Sequence, residues 1–395
     1  MRVSQLASLA LSGLLSSAYA FPLAQAPDQI QPAEKPAKFK TSLNRAKAFY
    51  NSTLGSLQAV TGKDLPNLTN LSLLRTILAP GSIREPHWYA NGNELHYCLS
   101  GKVYVTILDS GSEFSHFTVS AGEMFLVASG SLQTVENVGD EEAELISAPR
   151  NPNPIDFSLS AAFGEFTNAV LGNTYNESAE EWSSIRRTTQ PKFMVERQGP
   201  AKVPSTAGFP DRHKYDAVAQ NPPTDFSYGT ARLIRQQFFP ILKDLSMYDL
   251  RIEDDGMREP HWHPDTTEMG YVANGHARMS LLDPHGQVTT YYLEAGDCYF
   301  VPINWPHQIE NTGDDEFHFL IFFDQPTPAD VGFKASASAL GPEIMAAMLG
   351  IKDTKDLPEL PFTPEDPLIV QRVNPVDPIE PGEKTTEKME LHNGL

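Results

Sequence analysis

Along much of the chain, apolar side chains come in short runs that alternate with polar ones, the period of a strand with one buried face. Val103 to Leu108 and Tyr299 to Pro302 are two such runs, and clusters of Gly, Asn, Asp and Pro set them apart from their neighbours. Val, Ile, Tyr and Phe dominate these runs, as expected for a pleated, half-buried surface. Asn274-Gly275 predicts a tight hairpin. Two Ala/Leu-rich stretches, Leu159 to Leu171 and Ala335 to Leu349, break the pattern and predict helices ended by Gly172 and Gly350. Many short strands followed by a small helical cap point to a barrel or jelly roll. Residues 21–70 read as an N-terminal arm with some helical character. Residues 176–228 read as a Pro-rich polar connector and residues 352–395 as a Pro-rich acidic tail.

The strand pattern occurs twice. At a fixed offset of 174 residues, Arg84-Glu85-Pro86-His87-Trp88 returns as Arg258-Glu259-Pro260-His261-Trp262. Glu94 returns as Glu268, Gly101 as Gly275, and Ala121-Gly122 as Ala295-Gly296; Asn137, Gly139 and Asp140 return as Asn311, Gly313 and Asp314. The register holds to Asp156 and Asp330 without a net insertion, which means one ancestral unit, copied. The units fall at 71–175 and 229–351.

Composition narrows the partners. A formal net charge of −20 over 395 residues repels phosphate backbones, so no nucleic acid is expected. Residues 1–20 have the form of a secretory signal, with Arg2, an apolar Leu6 to Leu15 and the small-x-small site Ala18-Tyr19-Ala20. No later stretch approaches the ~18 apolar residues of a spanning helix, so no membrane partner is expected. N-x-S/T sequons at Asn51, Asn67, Asn70 and Asn176 fit a secreted product, or one held in a vacuole-like compartment. Two cysteines, Cys98 and Cys298, build no disulfide framework; buried thiols or a single bridge remain.

Chemistry concentrates in the second unit. His261 and His263, one residue apart on a strand, share a face. Pro264 to Thr267 supplies a turn that brings Glu268 back beside them, and Gly296-x5-Pro302-x4-His307 adds a third imidazole. A lone HxH is common, but four ligand-type residues at this spacing on a strand repeat are not. Three imidazoles and a carboxylate without a thiolate suit Mn2+ or Fe2+ rather than a closed structural zinc site. The first unit has His87, Tyr89, Glu94 and Gln133 at these positions, with Ala128 for the motif proline, and is expected to hold no tight metal. His96 reads as a polar strand residue. One metal per chain follows.

The two motifs resemble the cupin signatures, with Asn304 where the second usually has glycine. The segment Arg258 to Met279 is similar to the C-terminal motif of bicupin oxalate decarboxylases, and the resemblance spans most of residues 70–350. It implies an all-β protein of two tandem cupin (jelly-roll β-barrel) domains with short helical caps, and a metal held by His261, His263, Glu268 and His307. In such relatives an arginine ahead of the first histidine holds the substrate carboxylate, the place of Arg258; Arg84 in the other copy equally suits a packing role. Decarboxylation also needs a proton donor, from a lid or from within the last strand. Ile321 stands at the strand position and no glutamate follows, so Asp324 and Asp330 are the candidate acids. Three functions are compatible with these features: an oxalate decarboxylase-like enzyme on a small carboxylate, an O2-using oxygenase on a phenolic or polyketide-derived molecule, and a storage or spore-type protein. A homo-oligomer joined through the helical caps is what the resemblance implies for assembly.

Overall fold

Each repeat folds into two antiparallel sheets. A computed structural model describes residues 39–360, 368–374 and 376, and the statements below concern these. The expected signal segment 1–20 and most of the tail after residue 360 lie outside them. In the second repeat, one sheet runs Lys40–Ser42, Asp297–Val301, Glu268–Asn274, Phe317–Phe323, Ser246–Ile252, Gly229–Ile234, Thr224–Phe226. The other contains Val288–Glu294, His276–Leu282, His307–Asn311, Gly256–Trp262 and Val331–Gly332, with Ile369–Gln371 also paired to Gly256–Trp262. The first repeat reproduces both sheets strand for strand. This is a two-sheet jelly roll, in which alternate residues of facing strands meet in a common core.

Sequence expectations and structure differ at three places. Asn274-Gly275 does not close a hairpin: Glu268–Asn274 and His276–Leu282 belong to different sheets, and the turn is the corner between them. Gly275 has φ +84° there, and a Cβ would lie 2.7 Å from the Glu316 carbonyl oxygen. Each predicted cap helix is two short helices, Leu159–Glu165 with Asn168–Tyr175 and Phe333–Leu340 with Pro342–Met348. Pro342 cannot continue the earlier helix and instead opens the next. The described part of the arm is β rather than helical, because Gly55–Val60 finds a partner in Leu73–Leu78.

The two repeats exchange strands. Lys40–Ser42, ahead of the first repeat, pairs with Asp297–Val301 of the second, and Lys214–Asp216, at the matching place in the connector, pairs with Glu123–Val127 of the first. Equivalent ion pairs seal both, Lys40 to Asp297 and Lys214 to Glu123, each at 2.6 Å. Between the repeats lies a shared core that includes Leu95, Met124, Ile146, Met247, Met269, Leu320 and Phe322. Asn137 and Asn311 do the same work in each copy: each side chain donates to two carbonyls and accepts from the glycine amide two residues on.

Candidate metal centre

The strand Gly256–Trp262 pairs with His307–Asn311, placing His261 directly opposite His307. Between Arg258 and His261 the register shifts by one residue, a bulge in the stretch that contains Pro260, which has no amide hydrogen to give. The bulge turns the His261 side chain inward. His263 follows at the end of the strand, and the turn through Thr267 returns the chain to Glu268, which opens the strand of the opposite sheet. The turn is fastened by Asp324, whose Oδ1 accepts from the Thr266 hydroxyl at 2.5 Å and the Thr267 amide at 2.8 Å. On the other side, Asn304 adopts φ +65° and its amide donates to the His263 carbonyl. Asparagine tolerates the left-handed region better than any residue but glycine, so the departure from the motif costs little.

One donor atom from each of His261, His263, Glu268 and His307 lies within 4.8 Å of the others, and all four residues are buried. Glu268 Oε2 sits 2.9 Å from His263 Nε2 and 3.2 Å from His307 Nε2. The outer ring nitrogens are oriented by acceptors: His261 Nδ1 by the Glu259 carbonyl at 2.7 Å, His307 Nδ1 by the Trp305 carbonyl at 2.9 Å, His263 Nδ1 by the Ala329 carbonyl at 3.0 Å. Each imidazole therefore presents Nε2 to one point. Buried His261 Nε2 has no hydrogen-bond partner, an atom that a metal ion would satisfy. With three imidazoles, one carboxylate and no thiolate, the set fits a divalent first-row metal.

The charges agree with that reading. Burial, reinforced by the Arg258 charge, holds His261 well below the ordinary imidazole range. Burial works against Glu268 ionising, but His307 and His263 outweigh it and hold the carboxyl below its usual range. Burial would also lower His263; Asp330 and Glu268 overcome it and raise that ring.

The remaining expected site residues are placed around this cluster. Arg258, 1% exposed, donates to Asp330 Oδ1 at 2.6 Å and to the Leu368 carbonyl at 2.9 Å. Asp330 also lies 3.2 Å from His263 Nδ1. The first copy repeats the clamp without the ligands: Arg84 bonds to Asp156 and to the Phe193 carbonyl. Asp324 accepts from Asn70 and is 3.6 Å from Arg150, which occupies its own equivalent position in the first repeat. The two equivalent positions thus meet each other between the copies. In the first copy, Gln133 Nε2 donates to Glu94 Oε2 at 2.7 Å, and His96 Nε2 stands 3.1 Å from the same oxygen. Tyr299, Gly270, Thr266 and Asn70 were not among the expected site residues. Both thiols are free and buried, and burial pushes Cys98 up to about 12.

The chain belongs to the cupin family, whose model matches residues 41–183 and 218–356. Among curated relatives it is 28% identical to an oxalate decarboxylase of Bacillus subtilis over 306 residues, 75% of this chain and 78% of that one. It is 23% identical to an oxalate decarboxylase of Arthroderma benhamiae, covering 80% of each. A structure of the Bacillus subtilis enzyme superposes with a TM-score of 0.77 at 25% identity, over 86% of this chain and 89% of that chain. Another structure of that enzyme, with the same TM-score and identity over 87% and 93%, is described by its Mn(II) centres.

Proposed function

We propose that the second jelly roll is an oxalate decarboxylase-like carboxy-lyase site using one Mn2+ (or Fe2+) per chain, held by His261, His263, Glu268 and His307. The observation that carries it is this buried four-residue cluster in a chain whose oxalate decarboxylase relatives cover three quarters or more of its length. When bound, the metal supplies a Lewis acid for a carboxylate oxygen of the substrate. The chain supplies the rest. Arg258 is a buried cation close enough to depress His261, and its ion pair with Asp330 fixes it beside the ligand cluster. Asp330 holds both that guanidinium and His263 Nδ1, which makes it the better placed of the two acids to stabilise a proton at that ring. Asp324 acts on the ligand turn. On oxalate, the C–C bond breaks, CO2 leaves, and the remaining carbon takes one proton to give formate. These relatives favour this reading over the oxygenase and storage alternatives.

The substrate is a small molecule, and a secreted chain fits the exposed Asn51, Asn67, Asn70 and Asn176. No described helix is long and apolar enough to cross a membrane. Exposed Phe166, Val170, Ile344 and Met348 on the helical caps support a homo-oligomer. The test is metal-defined protein given oxalate while CO2, formate and O2 are followed together. Formate without net O2 uptake, lost in His261→Ala, is the expected result; stoichiometric O2 uptake with a phenol and silence on oxalate would replace this reading with an oxygenase.

A further inference from the structure

Glu268 has two oxygens, and only one faces the imidazoles. Oε1 points the other way and accepts the Tyr299 hydroxyl at 2.7 Å. Tyr299 is fully buried on the strand Asp297–Val301, and its direct cross-strand partner is Gly270. The phenol ring lies over that glycine: a Cβ on residue 270 would come 2.1 Å from ring carbons Cε1 and Cζ. Gly270 is not among the positive-φ residues, so its backbone does not require glycine. What requires glycine is the room for the ring.

The first repeat supplies a contrast at the same two positions. His96 and Phe125 are the equivalent cross-strand pair, and their rings stack at 4.2 Å, 9° apart. There the side chain beside the glutamate comes from the other strand, as an imidazole held on its far nitrogen by Ser147 at 2.7 Å. The Gly/Tyr pair thus accompanies the complete ligand set and the His/Phe pair the incomplete one.

We infer that Tyr299, admitted by Gly270, is a positioning residue that confines Glu268 to a single ligating oxygen. With Oε1 tied to the phenol, only Oε2 turns to the metal, and the positions a two-oxygen carboxylate grip would fill stay open. A substrate that binds through two oxygens needs those positions. The role rests on the metal centre proposed above.

The test is Tyr299→Phe, which removes one oxygen from a packed ring, compared with wild type and with Phe125→Leu in the first copy. Mn2+ affinity by chelator competition and the EPR fine structure of the Mn2+-loaded protein are measured. Tyr299→Phe is expected to weaken Mn2+ about 10–100-fold and to change the fine structure, with Phe125→Leu changing neither. Gly270→Ala, which displaces the ring by another route, is expected to shift both readouts in the same direction. An unaltered affinity and spectrum in Tyr299→Phe would overturn the role while leaving the metal centre standing. Wild-type protein that takes up no Mn2+ would overturn both.

Discussion

Replacing Asp330 with asparagine keeps its shape and removes its charge. Its carboxylate is 5% exposed and meets Arg258, itself 1% exposed, at 2.6 Å. Breaking a buried charge pair outright costs about 3–5 kcal/mol, which sets the upper bound for a change that removes the Asp330 charge and keeps its shape. Asp156 makes the same bond to Arg84, but its side chain is 23% exposed, so solvent relieves part of the loss and Asp156→Asn should cost less. The variants separate at the metal. Asp330 also steadies His263 at 3.2 Å, and losing an outer partner of a ligating histidine weakens metal about 10–100-fold, or about 1.4–2.7 kcal/mol. Urea unfolding of metal-free protein and Mn2+ competition with a chelator measure the two effects. Both variants should lose stability, and only Asp330→Asn should lose affinity. If Asp156→Asn weakens Mn2+ equally, or Asp330→Asn leaves affinity intact, Asp330 has no specific hold on the site.

Asn311→Ala and Asn137→Ala should each lower stability by about 1–3 kcal/mol, because two carbonyls lose their donor and a glycine amide its acceptor; equal losses are expected from the two copies. Asp324→Ala should speed hydrogen exchange at the Thr267 amide, the group it caps, and Arg150→Ala should do so less, being 3.6 Å away. Acid should loosen the contact between repeats. Burial would raise the pKa of Asp249, but His318 and two arginines lower it, so its contribution is present above the ordinary aspartate pKa of about 3.9 and is lost as pH falls through the depressed value. Tyr97 of the first repeat donates to this carboxylate, and weakening its acceptance in Asp249→Asn should flatten the acid limb of a stability–pH curve. Mn2+ uptake runs the opposite way. His263, raised above about 6.5, must lose its proton to ligate, so affinity should climb with pH across and above that value.

Much of the architecture was legible because a repeat exposes itself. The 174-residue offset exposed the duplication, and spacing along the strands grouped His261, His263, Glu268 and His307, which the fold brings together. Spacing works there because strand geometry is local: residues two apart share a face, and a short turn can only return to a neighbouring strand. The same local rules misread Asn274-Gly275, since a turn dipeptide marks a change of direction without saying which sheet receives the next strand. They also missed Tyr299, whose neighbour in space is Gly270, 29 positions away, and whose importance is visible only when its ring is seen lying where a Cβ would be.

Asp324 of the second repeat has Arg150 at its place in the first. In three dimensions these equivalent positions approach each other between the copies, so their opposite charge is what allows both to share that contact. By itself, the sequence determined the duplication, through its 174-residue offset, and the strand class and candidate ligand grouping, which follow from short-range periodicity. Only the tertiary structure decided which strands are exchanged, which carboxylates meet the histidines and the turn between them, and which oxygen of Glu268 faces the imidazoles, because those depend on which distant surfaces burial brings together.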